Sequence, residues 1–165
     1  MKYLYLILVA TILFLGCAKE NDFNEPSDVI YLENKELFNS ITCFSVGNIN
    51  AKSGIVIKDD IRYKLFADSM RIHPLNASVD CDTATLIDID FNKYSLIGIS
   101  TGYGACDKIK RNIFRDEVNK KITYNIDIKE YKGRCIYIYI FNLNFALIPK
   151  IPDTYVVEFN VNRNK

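Results

Sequence analysis

The stretch KITYNIDIK, residues 121–129, decides the fold, because its apolar and polar side chains alternate at every second position. One set holds the large apolar residues Ile122, Tyr124, Ile126 and Ile128, and the residues between them are polar. This period of two is the pattern of a β-strand with one face buried and the other in solvent. The stretch therefore predicts a half-buried strand.

The segments on either side extend this strand into a sheet. Residues 108–115 are also β-prone, and the polar segment 116–120 between the two predicts a β-hairpin. Residues 131–134, with Gly133, predict a second hairpin turn. Residues 135–141 (CIYIYIF) are apolar at both alternating sets of positions. That pattern predicts a strand at the centre of the sheet.

Further extended segments occupy most of the remaining chain. Residues 101–104 (TGYG) are expected in a loop, and residues 149–152 (PKIP) outside the sheet, because each proline removes a ladder donor. A single helical turn is expected at residues 33–39. The other predicted strands are residues 29–32, 41–46, 54–57, 86–91, 94–100, 145–148 and 155–161.

One segment, residues 58–70, has helical rather than strand periodicity. Its apolar residues and the one before it recur at helical spacing, at Ile57, Ile61, Leu65, Phe66 and Met70. Asp59 and Asp60 suit the positive N-terminal end of a helix. We predict a β-rich α+β fold, in which one amphipathic helix precedes an antiparallel meander of about six strands, as an open sheet or a small barrel.

The chain begins with MKYLYLILVATILFLGC, which has the pattern of a secretory leader. Lys2 is followed by an uncharged run, residues 3–15, that is too short as a helix for the ~30 Å hydrocarbon core of a membrane. Residues 14–17 (FLGC) resemble the lipobox of lipoproteins cleaved by signal peptidase II. The resemblance implies that residues 1–16 are a signal peptide and that Cys17 carries the lipid anchor, which needs two or more acyl chains for stable binding.

The segment after Cys17 is polar and without periodicity. We expect residues 17–27 to be a flexible tether and residues 28–165 to be a single domain. Lys19, Glu20 and Asp22 resemble the acidic export signal of some Bacteroidota lipoproteins, so we expect an outer-membrane protein that faces the periplasm or the cell surface. Cleavage of the signal peptide removes Lys2, so the 21 basic residues become 20 and equal the 20 acidic residues in number. This balance argues against nucleic acid as the partner.

Four cysteines follow Cys17, and an exported chain meets an oxidising compartment. We expect two disulfides. Of the three possible connectivities we prefer Cys106–Cys135 with Cys43–Cys81, and free thiols are the alternative. The cysteine spacing and the single histidine, His73, do not predict a zinc site.

The order of several short motifs resembles a known group of proteins. An apolar segment (residues 55–57) opens the helix, Asp90-Phe91 precedes an inner strand, Gly102-Tyr103-Gly104 follows it, and PKIP precedes the last strand. Over residues 54–162 this order resembles Bacteroidota lipoproteins of unknown function and, more distantly, the PrcB C-terminal domain. That domain belongs to a lipoprotein that stabilises a partner protease at the cell surface. The resemblance implies a non-catalytic protein-interaction module.

No pattern of residues predicts catalysis, a cofactor or a metal. Asp80, Asp82, Asp88 and Asp90 lack the glycine turn of a calcium loop. We therefore expect a non-enzymatic module that binds an unknown protein, with a small-ligand or glycan-binding β domain as the alternative and a hydrolase as the least supported function. The candidate partner contacts are Tyr103, Lys150 and Ile151, and a ligand cavity would be lined by Tyr137, Tyr139 and Phe141.

Overall fold

The computed structural model describes residues 28–38, 43, 54–71, 81, 84–133 and 138–164. The predicted strand at residues 41–46 therefore lies outside the described residues, except for Cys43. The elements in chain order are β1 (Ile30–Leu32), α1 (Asn34–Leu37), β2 (Ile55–Ile57), α2 (Asp60–Met70), β3 (Tyr94–Gly104), β4 (Lys108–Asp116), β5 (Lys121–Lys129), β6 (Tyr139–Pro149) and β7 (Val156–Asn164).

The strands form two sheets, so the β-rich α+β class predicted from the sequence is confirmed. Sheet 1 has the order β1-β6-β3-β2 and is antiparallel throughout. Sheet 2 has the order β4-β5-β7, in which β4 and β5 are the predicted antiparallel hairpin and β7 runs parallel to β5. The strand order differs from that of a simple meander. β3 pairs with β6, and the β4–β5 hairpin that lies between them in the chain belongs to sheet 2.

The molecule has three layers, with sheet 1 in the middle. Leu96 and Phe145 on one face of sheet 1 pack with α2 in a first hydrophobic core. Ile97 and Ile148 on the other face pack in a second core against sheet 2, whose buried residues include Tyr124. Both faces of β3 are thus buried, which explains why its sequence is apolar without alternation.

The helix α2 begins where its sequence predicts but presents a different face to the core. Asp59 is its N-cap, and the carboxylate accepts a hydrogen bond of 2.8 Å from the Arg62 N–H. Met70 is buried, as expected, whereas Ile61 and Leu65 are 75% and 64% exposed. The face that packs on the core also contains Tyr63, which the predicted apolar stripe omitted.

Two predictions for the chain around β3 are wrong, namely the strand at residues 86–91 and the loop at residues 101–104. Residues 87–90 form no strand. The chain turns directly after them, because the Asn92 N–H bonds to the Asp90 side chain and the Tyr94 N–H bonds to the Asp90 carbonyl. Residues 101–104 are not a loop. They continue β3, where Gly104 pairs with Tyr139 of β6.

The predicted arrangement around β6 is also wrong. Residues 131–133 do not close a hairpin, because β6 pairs with β3 and β1 instead of β5. Residues 134–137 lie outside the described residues, and Ile138, Ile140 and Phe141 are exposed rather than central. The buried part of β6 is residues 143–148, which contains the segment predicted as a separate short strand.

Candidate functional site

The two sheets separate at one end and leave a polar cavity, which we call the inter-sheet cleft. It is lined by Glu33 before α1, Tyr103 of β3, Asp107 of the turn after β3, Arg111 of β4, and Asn142 and Asn144 of β6. Its volume is about 330 Å³. The cleft brings together polar side chains of β3, β4 and β6, of the residue before α1 and of the turn after β3.

The strand register explains why polar residues meet here. Asn144 pairs with Ile99, Asn142 with Thr101, and Ile140 with Tyr103, so their side chains share the face of sheet 1 that looks towards sheet 2. Towards the centre of the sheet the same face is apolar, as at Ile97 and Ile148. Two asparagines at alternate positions, within the apolar segment FNLNFALI, are the sequence signal that would have revealed this site.

Asn144 is the most informative residue of the cleft. Its amide nitrogen donates to Thr101 Oγ1 at 2.7 Å and to the Ile99 carbonyl at 3.3 Å. Because a carbonyl only accepts, the contact with Ile99 assigns the nitrogen to this side of the amide. The residue is fully buried, yet its Oδ1 has no hydrogen-bond partner within the described part of the chain. A buried unpaired acceptor costs about 1–3 kcal/mol, so such an atom requires an explanation.

Arg111 forms the opposite wall of the cleft. Its guanidinium donates to the Leu32 carbonyl at 3.3 Å and to Glu33 Oε1 at 3.1 Å. The same group lies 5.0 Å from the ring centroid of Tyr31, within the range of a cation–π contact. These contacts hold a largely buried cation in one position, and its charge is compensated by Glu33.

Asp107 closes the end of the cleft as an ionised carboxylate. The Tyr131 N–H donates to its Oδ1 at 2.9 Å, and the Gly104 N–H donates to its Oδ2 at 2.7 Å. These two hydrogen bonds, with the positive charge of Arg163, hold the pKa of Asp107 below its usual value. Asp107 therefore links the end of β3 to the segment after β5.

The three predicted partner contacts have different environments. Tyr103 lines the cleft, and its hydroxyl accepts a hydrogen bond of 3.3 Å from the Asn142 amide. The Lys150 ammonium donates to the backbone carbonyls of Lys58 and Phe91, so it joins two loops. Ile151 is only 1% exposed and packs in the second core, and the prediction that it is an exposed contact is wrong.

The cysteines form at least one disulfide in the described part of the chain. Cys43 and Cys81 are bonded, with 5.3 Å between their Cα atoms, and both are buried in the first core. Cys106 is also disulfide-bonded. Its predicted partner, Cys135, lies outside the described residues, as does Cys17, so both predictions concerning them stay predictions.

The titratable side chains of the described residues give little indication of a catalytic or metal site. Within those residues, no group of three or more His, Cys, Asp or Glu side chains is placed to hold a metal ion. Asp90 bonds to the Asn92 N–H, which lowers its pKa, and the Lys93 ammonium adds to this effect. His73, Asp80, Asp82 and Tyr137 lie outside the described residues. Of the helices that are described, none is long and apolar enough to cross a bilayer.

A second depression, of about 490 Å³, lies on the outer face of sheet 2 around Phe114 and Thr123. Two pairs of its polar groups already bond to each other, one between β7 and β5 and one within the turn between β4 and β5. Asn160 donates to Asn125 Oδ1 at 3.0 Å, and the Asn119 N–H donates to Asp116 Oδ1 at 2.9 Å. Because these groups bond to one another, whereas the Tyr103 hydroxyl of the inter-sheet cleft has a proton available to donate, the inter-sheet cleft is the stronger candidate site.

No family model, curated protein or solved structure matches the chain. The resemblance to the PrcB C-terminal domain therefore stays a prediction.

Proposed function

We propose that the protein is a non-catalytic binding protein of the bacterial envelope, held at the outer membrane by lipid on Cys17, with the inter-sheet cleft as the binding site for a small polar ligand. The leader sequence supports the location of the protein. The cleft supports binding, because it combines a defined cavity with polar side chains from β3, β4 and β6.

The single observation that carries this proposal is the convergence of Glu33, Tyr103, Asp107, Arg111 and Asn142 on one cavity of about 330 Å³. Ligand sites are cavities in which a few polar side chains from different elements converge and fix the orientation of the ligand. The Tyr103 hydroxyl accepts from the Asn142 amide, so its own proton is available to donate to a ligand in this cavity.

A ligand-observed NMR screen tests the proposal with the full-length mature protein in detergent. The probes are mixtures of neutral sugars, amino acids, dicarboxylates and diamines. Ile140 lies at the rim of the cleft and is 38% exposed, so Ile140→Trp should obstruct entry. The matched control is Val118→Trp, in the turn between β4 and β5, where the side chain is 89% exposed.

We expect at least one class of probe to bind to the wild type and to Val118→Trp, and to bind at least tenfold more weakly to Ile140→Trp. If no class depends on Ile140 in this way, the proposal that the cleft is a binding site fails.

A protein partner is the second candidate, and the outer face of α2 favours it. Ile61 and Leu65 are four residues apart, lie on one side of the helix and are both mostly exposed. Two apolar anchors at this spacing are typical of a helix that docks into an apolar groove of another protein. We propose that this face of α2 docks into an apolar groove of another envelope protein.

Cross-linking and affinity recovery from the native membranes test this second candidate. A specific partner should be recovered with the wild type, lost with Ile61→Lys/Leu65→Lys and retained with Val118→Lys. Recovery that is the same with all three proteins would exclude docking through this face.

A further inference from the structure

The last strand, β7, forms an open edge of sheet 2. The order of this sheet is β4-β5-β7, so β5 lies along one side of β7, and within the described part of the chain no strand lies along the other side. β7 is 9 residues long and contains neither lysine nor proline. Native proteins commonly protect an edge strand with such residues, because an unprotected edge pairs with another strand. The outer edge of β7 is therefore open to pairing.

The opposite edge of sheet 2, β4, does have this protection. Four of its 9 residues are basic, namely Lys108, Lys110, Arg111 and Arg115. β7 carries one acidic and one basic residue, Glu158 and Arg163, so two copies of it do not repel each other through a net charge. The composition thus distinguishes β7 as the edge that can pair with a copy of itself.

Two hydrogen bonds at the ends of β7 determine which of its backbone groups face the open side. The Val156 N–H donates to the Lys120 carbonyl at 3.0 Å, and the Asn164 carbonyl accepts from the Glu130 N–H at 3.1 Å. The N–H and C=O of one residue point to the same side of a strand, and that side alternates along the strand. The even-numbered residues of β7 therefore face β5. The residues whose backbone groups face outwards are Val157, Phe159, Val161 and Arg163.

These outward groups match those of a second copy of the same strand. Let two β7 strands run antiparallel about a two-fold axis at Asn160. Val157 of each copy then lies opposite Arg163 of the other, and Phe159 of each lies opposite Val161 of the other. In an antiparallel ladder, residues paired in this way exchange two hydrogen bonds. This register uses the N–H and the C=O of every outward-facing residue, and its symmetry closes the assembly at two copies.

The side chains are compatible in this register. Phe159 already packs against the second core and Val161 is 36% exposed, so the two Phe–Val pairs extend that core across the interface. On the outer face of the sheet, Glu158 lies opposite Asn162 of the other copy. The Asn162 amide donates one N–H to Asp127 and has a second N–H for the Glu158 carboxylate. Like charges, which would destabilise a cross-strand pair, do not lie opposite each other.

Asn160, at the two-fold axis, favours a second copy over a strand of another protein. It is the last of a row of asparagines across sheet 2, in which Asn112 of β4 pairs with Asn125 and Asn125 pairs with Asn160. The Asn160 amide nitrogen donates to Asn125 Oδ1 at 3.0 Å, which leaves its own Oδ1 and a second N–H. Two amides related by a two-fold axis exchange these groups, since each donates what the other accepts. The row then continues from one copy into the next.

From these steps we infer that the protein forms a two-fold symmetric dimer, in which two antiparallel β7 strands join the three-stranded sheets of both copies into one continuous sheet. The partner at this edge is thus a second copy of the chain. The inference goes beyond the proposed function and does not depend on it, because no residue of β7 lines the inter-sheet cleft.

Sedimentation equilibrium of the full-length mature protein, in detergent at matched solvent density, tests this inference. Asn160→Lys and Asn160→Asp each place two like charges face to face at the axis, and Asn160 is exposed, so the fold of one copy should tolerate both. Val118→Lys and Val118→Asp are the matched controls, in a turn residue that is 89% exposed. Val161→Pro is a further variant, because it removes an outward N–H that pairing with β5 does not use. Circular dichroism establishes that each variant is folded.

We expect the wild type and both Val118 variants to dimerise, and each Asn160 variant alone to dimerise about tenfold more weakly or not at all. An equimolar mixture of Asn160→Lys and Asn160→Asp should regain the dimer, because an ammonium group then meets a carboxylate at the axis. This recovery requires that residue 160 of one copy lies opposite residue 160 of the other. If an Asn160 variant is unfolded, Val161→Pro decides, and it should be monomeric.

A wild type that is monomeric from micromolar to millimolar concentrations overturns the inference. So does a dimer that Asn160→Lys and Val161→Pro leave unchanged, or a mixture of the two charged variants that stays monomeric. A monomeric wild type that binds a different protein, with binding lost in Asn160→Lys, also overturns it and assigns this edge to a strand of that protein.

Discussion

The ring of Phe145 covers the Cα of Gly98, the residue with which it is directly paired between β6 and β3. A Cβ at position 98 would overlap the ring carbons of Phe145. The same ring also packs edge-on with Phe66 of α2, with 5.7 Å between the ring centroids. Because Gly98 has no side chain, the Phe145 ring fits over it and connects sheet 1 to α2.

Gly98→Ala should lower the free energy of unfolding by about 1–3 kcal/mol, because the added methyl group forces Phe145 out of its position. Gly104→Ala is the control, since a Cβ there meets only the Asp107 carboxylate, at 3.2 Å. The measurement is urea unfolding of both variants. In the background Phe145→Leu the cost of Gly98→Ala should shrink, since neighbouring substitutions couple. Equal costs in both backgrounds would show that the ring is not the obstacle.

The two faces of α2 should respond differently to substitution. Met70→Ala should cost about 2–5 kcal/mol, because the side chain is 2% exposed and packs in the first core. Ile61→Lys and Leu65→Lys should each change stability by no more than about 0.5 kcal/mol, since both side chains lie mostly in solvent. Thermal unfolding of the three variants compares them. A large loss with Ile61→Lys would mean that the helix packs on the face predicted from the sequence.

The Asp107 carboxylate should make the stability depend on pH. Its pKa in the folded protein is lowered, first by the Tyr131 N–H and then by the Gly104 N–H. The unfolded chain therefore binds a proton more readily, and the contribution of Asp107 is present above the unfolded value of about 3.9 and is lost as the pH falls through the folded value.

Asp107→Asn should consequently be less stable than the wild type at pH 7. The difference should shrink as the pH falls below the unfolded value of about 3.9 and vanish only below the lowered pKa of the folded state, where both proteins carry a neutral side chain. Urea midpoints at a series of pH values measure this difference. If the difference in stability between the two proteins is the same at pH 7 and at acid pH, the folded state does not favour the ionised form of the carboxyl group.

Cys17→Ser tests the lipid anchor. Without the thiol no lipid is attached, and we expect the protein to remain as an unprocessed precursor or to appear in the soluble fraction. Fractionation and intact-mass measurement of membranes distinguish these products, with Asn21→Ser as a control substitution in the tether. A variant that is matured and held in the membrane as before would contradict the lipoprotein assignment.

Local features were predictable because their causes are local. The hairpin of β4 and β5 is confirmed with bounds close to those expected, since alternation and a polar turn act within about twenty residues. Asp59 begins α2 through a bond to Arg62, only three positions away. By contrast, Ile151 and Asn144 occupy environments created by segments more than 40 residues distant, as their bonds to Ser95 and Thr101 show.

The sequence by itself determined that the chain is β-rich, which strand of the central hairpin is half-buried, and where the helix begins, because each depends on side-chain periodicity or on capping by near neighbours. Only the tertiary structure decided that β3 pairs with β6, that β7 lies parallel to β5, and that polar side chains of β3, β4 and β6 meet in one cleft. Strand pairing depends on which apolar faces are buried together, and that choice is made by contacts between segments far apart in the chain.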